Sequence, residues 1–278
     1  LALLIHLPPV QNYVSDRITT YLTEGTGYKT EIDYINIKWF NAVSVDGAQI
    51  YDLQDGKMLG IEELVLTFKL RDLIGKQNLE TGQAWIKGAD VNLRDETSRR
   101  LNIDDWIIKL TDLLATESTG TPSKAAAFTI DEITLLESKF SISDSSRDSV
   151  KTGFDYNHFQ LVDINADLLN LKAVADTFQL DIKYLTTRDS ASGLKVDELK
   201  SFFRYSWKEM AFYDLDLKMG KSHITDEVIF GMNSPSDMSY FVDRVDIRAN
   251  FAQTKLHTDE LSFFVPEFKK HNELVKID

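Results

Sequence analysis

The residues able to do chemistry are scattered along this chain. Its five histidines are His6, His158, His223, His257 and His271, and none has another four positions away. The chain has no cysteine. A His-Glu-x-x-His zinc site, a thiolate metal site and a thiol nucleophile are therefore all absent. No Gly-x-Ser-x-Gly elbow places a serine on a strand-to-helix turn. Gly25-Thr26-Gly27 follows a helical stretch and precedes a strand, the reverse of the order a dinucleotide site needs, and reads as a helix stop. Asp52-Leu53-Gln54-Asp55-Gly56 lacks the carboxylate spacing of a calcium loop. Asp214 and Asp216 are alternate strand residues on one face, the pattern of a solvated surface. The expectation is a protein that is not an enzyme and carries neither cofactor nor metal.

Bulk composition narrows the partners. With 31 Lys and Arg against 44 Asp and Glu, the net charge is -13, which repels phosphate backbones and excludes nucleic acid. It also opposes docking flat on anionic headgroups. Contact with acyl chains carries no charge and stays open. Hydrophobic residues make up 43% and aromatics 11%, with 16 Phe and 10 Tyr, a balance that leans towards strands.

The elements follow from periodicity. Leu1-Ala2-Leu3-Leu4-Ile5-His6-Leu7 reads as the last turns of a hydrophobic helix. Pro8-Pro9 opens an amphipathic helix in which Val10, Tyr13, Val14, Ile18, Tyr21 and Leu22 recur at helical spacing, stopped by Gly25 and Gly27. From residue 28 the period changes to two. Ile32, Ile35, Ile37 and Trp39 lie in a strand with an irregularity near Tyr34, Val43 and Val45 follow, and Leu64, Leu66, Phe68 and Leu70 alternate with Val65, Thr67 and Lys69. Asp72-Leu73-Ile74-Gly75 reads as a helical turn, and Leu79 to Leu93 as a strand interrupted by Gly88. Ile103, Trp106, Ile107, Leu110, Leu113 and Leu114 return to helical spacing, with Asn102 or Asp104 as cap. Residues 115–126 hold little that packs and read as a linker or long loop. Strands are expected at 127–143, 154–165, 167–173, 176–186, 194–206, 209–219, 222–231 and 240–251, then a short helix from Thr258 to Phe268 broken by Pro266.

Four regions result: 1–27, the end of a membrane anchor with its connecting helix; 28–114, a first sheet segment with a closing helix; 115–126, the linker; and 127–278, a second sheet segment. A loose repeat runs through the last: Leu161-Val162-Asp163-Ile164, Tyr213-Asp214-Leu215-Asp216-Leu217 and Val245-Asp246-Ile247. It reads as successive strands, each with an acidic outer face. The apolar rows fit two arrangements, two sheets packed as a sandwich or one curled sheet with an apolar concave face. Helical content is too sparse to cover so many strands.

The pattern from Pro9 to Leu93 resembles the N-terminal part of the TamB family in its Bacteroidetes-type form. The resemblance is carried by Pro8-Pro9-Val10-Gln11-Asn12-Tyr13-Val14, the helix ending Thr23-Glu24-Gly25-Thr26-Gly27, and the strand from Lys29 to Phe40. Val43-Ser44-Val45-Asp46-Gly47, Leu64-Val65-Leu66-Thr67-Phe68 and Ala89-Asp90-Val91-Asn92-Leu93-Arg94 continue it. Asp155-Tyr156-Asn157-His158-Phe159 and Asp259-Glu260-Leu261-Ser262-Phe263-Phe264-Val265-Pro266 extend it. TamB belongs with the AsmA-like, bridge-like lipid-transfer proteins.

The resemblance implies a mainly β fold. It would be an elongated, curled antiparallel sheet forming an open apolar groove, with an N-terminal amphipathic helix and a few short helices. It implies a periplasmic segment held at the bacterial inner membrane through an anchor before Leu1. That segment would shield phospholipid acyl chains on their way to the outer membrane. Groove candidates are Leu64, Leu66, Phe68, Phe178, Leu180, Ile182, Tyr184, Leu215, Leu217, Val245 and Ile247. An Omp85-type outer-membrane protein is the family's partner, through regions absent from this chain. A role as scaffold for outer-membrane protein assembly, through exposed strand edges, is the alternative.

Overall fold

The amphipathic stretch at the start folds as α1 (Pro8–Thr26). Its last turn is tied down by Thr26 Oγ1 donating to the Leu22 carbonyl and by the Gly27 amide donating to the Thr23 carbonyl. The computed structural model describes residues 8–38, 41–68, 80–95, 101–115, 128–174, 177–234, 237 and 240–277. The apolar start Leu1–Leu7, the turn expected at Asp72–Gly75 and all but Ala115 of the expected linker lie outside the described residues.

Five strands follow α1: β1 (Thr30–Lys38), β2 (Ala42–Tyr51), β3 (Lys57–Phe68), β4 (Glu80–Lys87) and β5 (Asp90–Asp95). The break expected at Gly88 separates β4 from β5, and Gly88 has φ +62°, a conformation that glycine reaches without strain. After α2 (Asp104–Ala115) come β6 (Phe128–Asp144), β7 (His158–Val174), β8 (Thr177–Asp189), β9 (Lys195–Val196), β10 (Glu198–Ser206), β11 (Glu209–Met219) and β12 (Ser222–Gly231). The chain ends through α3 (Phe241–Arg244), β13 (Asp246–Phe251), β14 (Thr254–His257), α4 (Thr258–Leu261), a 3-10 turn (Pro266–Lys270) and β15 (Leu274–Ile277).

All these strands join one 15-stranded sheet, ordered β1-β2-β3-β4-β6-β7-β8-β10-β11-β12-β14-β15, with β5 beside β3 and β6, β9 beside β8 and β13 beside β12. The fold is mainly β, one large sheet with an N-terminal helix and few short helices. It differs from the expected all-antiparallel sheet at one place, because β6 runs parallel to both β4 and β5. The reason lies in the connection. Parallel neighbours need a crossover of a dozen or more residues, and the segment between Asp95 and Phe128, which contains α2, supplies it. These pairs join the segments 28–114 and 127–278 in one sheet.

Two strand boundaries also differ from expectation. Residues 154–157 form a turn, in which Asp155 accepts hydrogen bonds from the amides of Val150, Asn157 and His158. The strand begins at His158 and runs unbroken to Val174. Phe241–Arg244 is helical where a strand was expected, and it turns Phe241 onto Tyr156, the two rings stacked with centroids 5.2 Å apart.

The two longer helices, α1 and α2, gather at the β1 side. α1 lies along β1. α2 docks on the C-terminal end of α1, where Leu113 lies so close that a Cβ on Gly25 would fall 2.5 Å from its Cδ2. Tyr28 donates its hydroxyl to Asp105 and lies under the Lys109 ammonium. Asn102 does not cap α2. Its side chain donates to Asp52 and to the Asn92 carbonyl and accepts from the Arg94 amide. Asp104 accepts from the Leu101 amide just before the helix.

Candidate functional site: an apolar face of the sheet

Cross-strand register builds two apolar rows. In the first, Val43, Leu66, Ala84, Ile133, Leu168 and Ile182 stand opposite one another in turn across β2, β3, β4, β6, β7 and β8. In the second, Val45, Leu64, Ile86, Leu135, Ala166 and Leu185 do the same. Ala84, Ile130, Ile133, Ala166, Leu168, Leu180 and Ile182 form the buried centre of this face, flanked by half-buried Leu66, Leu199, Phe203 and Phe212. Every described strand belongs to the one sheet, so among the described residues the rows lie on a single continuous sheet and not on two separate ones.

Aromatic rings extend the face. Phe178 of β8, Phe203 of β10, Phe212 of β11 and Phe230 of β12 touch in sequence, with centroids 5.6, 4.9 and 6.4 Å apart. Phe230 then meets Phe241, which stacks on Tyr156, and Tyr156 meets Phe154 and so Phe159. This chain of rings ties the end of β12 to the start of β7. Burial pushes the Tyr205 hydroxyl pKa up, and the negative charge of Asp104 adds to the rise.

The candidate residues divide by position. Leu64 and Leu66 lie in the rows, half-buried, and Leu180 and Ile182 in the buried centre. Phe178 stands opposite Tyr205 on the same face. Leu215 is buried and Leu217 half-buried, opposite Leu199. The side chain of Phe68 lies outside the described residues. Tyr184 does not continue the row of Phe178, Leu180 and Ile182. The register slips between Leu168–Ile182 and Asp167–Tyr184, leaving Lys183 as the extra residue. Tyr184 turns to the opposite face, 41% exposed, and Leu185 takes the inner place beside Ala166. Val245 lies between α3 and β13, outside any strand. Ile247 lies on β13 opposite Phe230 and is 56% exposed.

The irregularities have a common form. Glu137, Asp163, Asn170, Asp214 and Asp226 all have positive φ within strands. Ladder slips accompany them between Leu135 and Ser138, Val162 and Asn165, Leu169 and Lys172, and Phe212 and Leu215. Each such bulge bends its strand and raises the local twist. Asp163 and Asp214 are acidic members of the sequence repeat, so that repeat marks bulges as much as outer faces. Asp and Asn enter the left-handed region more readily than most residues, which is the signal that identifies them.

Polar groups are spent on the ends of strands. Burial pushes the Asp52 carboxyl pKa up, but hydrogen bonds from Arg94, Asn102 and the amides of Gly56 and Gln54 outweigh it and hold the group below the usual carboxylate range. Asp155 follows the same logic, burial opposed by the amides of Val150 and Asn157 and by His158. Asp189 accepts from the Gln160 amide and from the Ser192 amide and hydroxyl. Half-buried Glu198 is held at about 2 by Lys200 and Lys218. His158 bridges Asp155 and the Asp144 carbonyl, His223 faces Asp216 at 2.7 Å, and His257 Nδ1 accepts from the Asp259 amide. Among the described residues no three His, Asp or Glu side chains group to hold a metal ion, and no helix is long and apolar enough to cross a membrane. No family model matches the chain, and no curated protein matches it.

Proposed function

We propose that the apolar face of this sheet shields lipid acyl chains. In this reading the chain is a non-enzymatic segment of a periplasmic bridge, anchored in the bacterial inner membrane, that carries phospholipid towards the outer membrane. The observation that supports it is the pair of apolar rows crossing six strands of one continuous sheet, with no separate second sheet among the described residues. An acyl chain in water costs about 0.8 kcal/mol per CH₂, and a face of this kind lowers that cost without bond chemistry. The anchor, the compartment and an Omp85-type partner rest on the TamB resemblance alone.

The test is native mass spectrometry of the purified chain. Phospholipid should accompany the wild type and be lost from Phe203→Asp, a half-buried rim position, with the β-sheet circular dichroism retained. Tyr184→Asp, on the opposite face, should keep the lipid. A wild type without lipid, or Phe203→Asp carrying as much, would sink the reading. A second reading, a scaffold that templates partner strands in outer-membrane protein assembly, is favoured by one observation, the exposure of β13. It requires crosslinks from β13 to extended client segments.

A further inference from the structure

We propose that β13 is a self-association strand, pairing antiparallel with β13 of a second copy about a two-fold axis at Ile247. The proposal does not depend on lipid binding. β13 is hydrogen-bonded to β12 on one side, no strand among the described residues pairs with its other side, and Asp246 to Asn250 are all exposed. An edge of this kind is a ready template for another strand.

The sequence of β13 selects the occupant. With Ile247 opposite Ile247 of the second copy, Asp246 stands opposite Arg248 and Arg248 opposite Asp246, while Ala249 meets Val245 on either side. Val245 is already extended, at φ -102° and ψ 120°, with its amide donating to the Phe241 carbonyl, so it meets Ala249 by its side chain at the end of the ladder. One face of the ribbon is then wholly apolar, and the other carries two opposite-charge pairs. Neither Asp246 nor Arg248 has an ion-pair partner among the described residues. Sliding the pairing by one step that keeps the faces brings Asp246 onto Asp246, or Arg248 onto Arg248, and like charges directly opposite are unfavourable. The strand thus complements itself in one register and rejects its neighbours.

The wild-type chain, followed by light scattering over a concentration series, should rise to twice its monomer mass. Asp246→Arg and Arg248→Asp, each placing like charges opposite at two symmetric positions, should weaken self-association roughly tenfold or more. The double variant should restore it, and so should mixing the two single variants. A covalent readout is also open because the chain has no cysteine. Two-fold-related Cα atoms in such a ladder lie about 4.5–5.5 Å apart, within the range a disulfide spans. Oxidised Ile247→Cys should run as a covalent dimer, and Ala249→Cys should not. A wild type that stays monomeric overturns the proposal. So do charge variants of unchanged mass, a mixture of single variants that fails to associate, or Ala249→Cys crosslinking as readily as Ile247→Cys.

Discussion

At β1, the outward side of the edge strand is taken up by a helix. The Ile35 amide donates to Ser15 Oγ at 2.9 Å and the Thr30 amide to Thr23 Oγ1 at 3.1 Å, both acceptors on α1. Gln11, from the same helix, holds Asn36 and Tyr34. β13, an edge strand beside β12, has no such hydrogen-bonded helix among the described residues, and Asp246 to Asn250 stand in solvent. A covered edge spends side-chain hydroxyls to satisfy backbone donors and cannot accept another strand. A bare edge leaves those groups to water and can. The direction in which this sheet can grow is therefore set by where the helices sit.

The largest expected effect breaks the covered edge. Ser15→Ala with Thr23→Ala strips the partners from two backbone donors of β1, and a buried unsatisfied donor costs about 1–3 kcal/mol. The double variant should lose roughly 2–5 kcal/mol in urea unfolding. A loss of less than about 0.5 kcal/mol would mean that α1 merely lies beside β1.

A smaller effect separates the β1 side of the molecule by pH. Burial raises the Asp52 carboxyl, and the hydrogen bonds from Arg94, Asn102, Gly56 and Gln54 bring its net pKa below the unfolded value. A depressed folded pKa contributes stability that is present above the unfolded pKa, near 4, and lost as pH falls through the folded one. Acid should therefore weaken the turn between β2 and β3 and its tie to the start of α2. Amide exchange at Gln54 and Gly56, followed from pH 6 to pH 3 and corrected for intrinsic rates, should show protection falling, and Asp52→Asn should flatten that fall. Protection independent of pH in the wild type would remove Asp52 from the account.

Much of this architecture was legible in the chain because period-two alternation survives wherever one face is apolar. Val43, Leu64, Leu66, Leu180 and Ile182 were found that way. What escaped was set by contacts distant in sequence. The parallel pairing of β6 with β4 and β5 depends on how a crossover returns, which local periodicity does not encode. Tyr184 was misplaced because one extra residue, Lys183, reverses every later side chain. Phe241 is apolar and strand-prone, yet it opens a helical turn, where its ring stacks on Tyr156 and meets Phe230, contacts distant in sequence. The bare edge was invisible for a related reason: Asp246-Ile247-Arg248 has the same alternation as an inner strand, and sheet order alone places it outside.

The smallest effect sharpens the comparison from the bare side. At concentrations below any self-association, Arg248 is an exposed side chain without an ion-pair partner among the described residues, and surface substitutions away from special features stay within about 0.5 kcal/mol. Arg248→Ala should leave the urea midpoint of the monomer unchanged, in contrast to Ser15→Ala with Thr23→Ala. At concentrations where copies associate, the same substitution should lower the midpoint relative to wild type, because only the associated form gains from Arg248. A cost already present in the dilute monomer would show that β13 is supported within its own copy. The two edges would then differ in degree and not in kind.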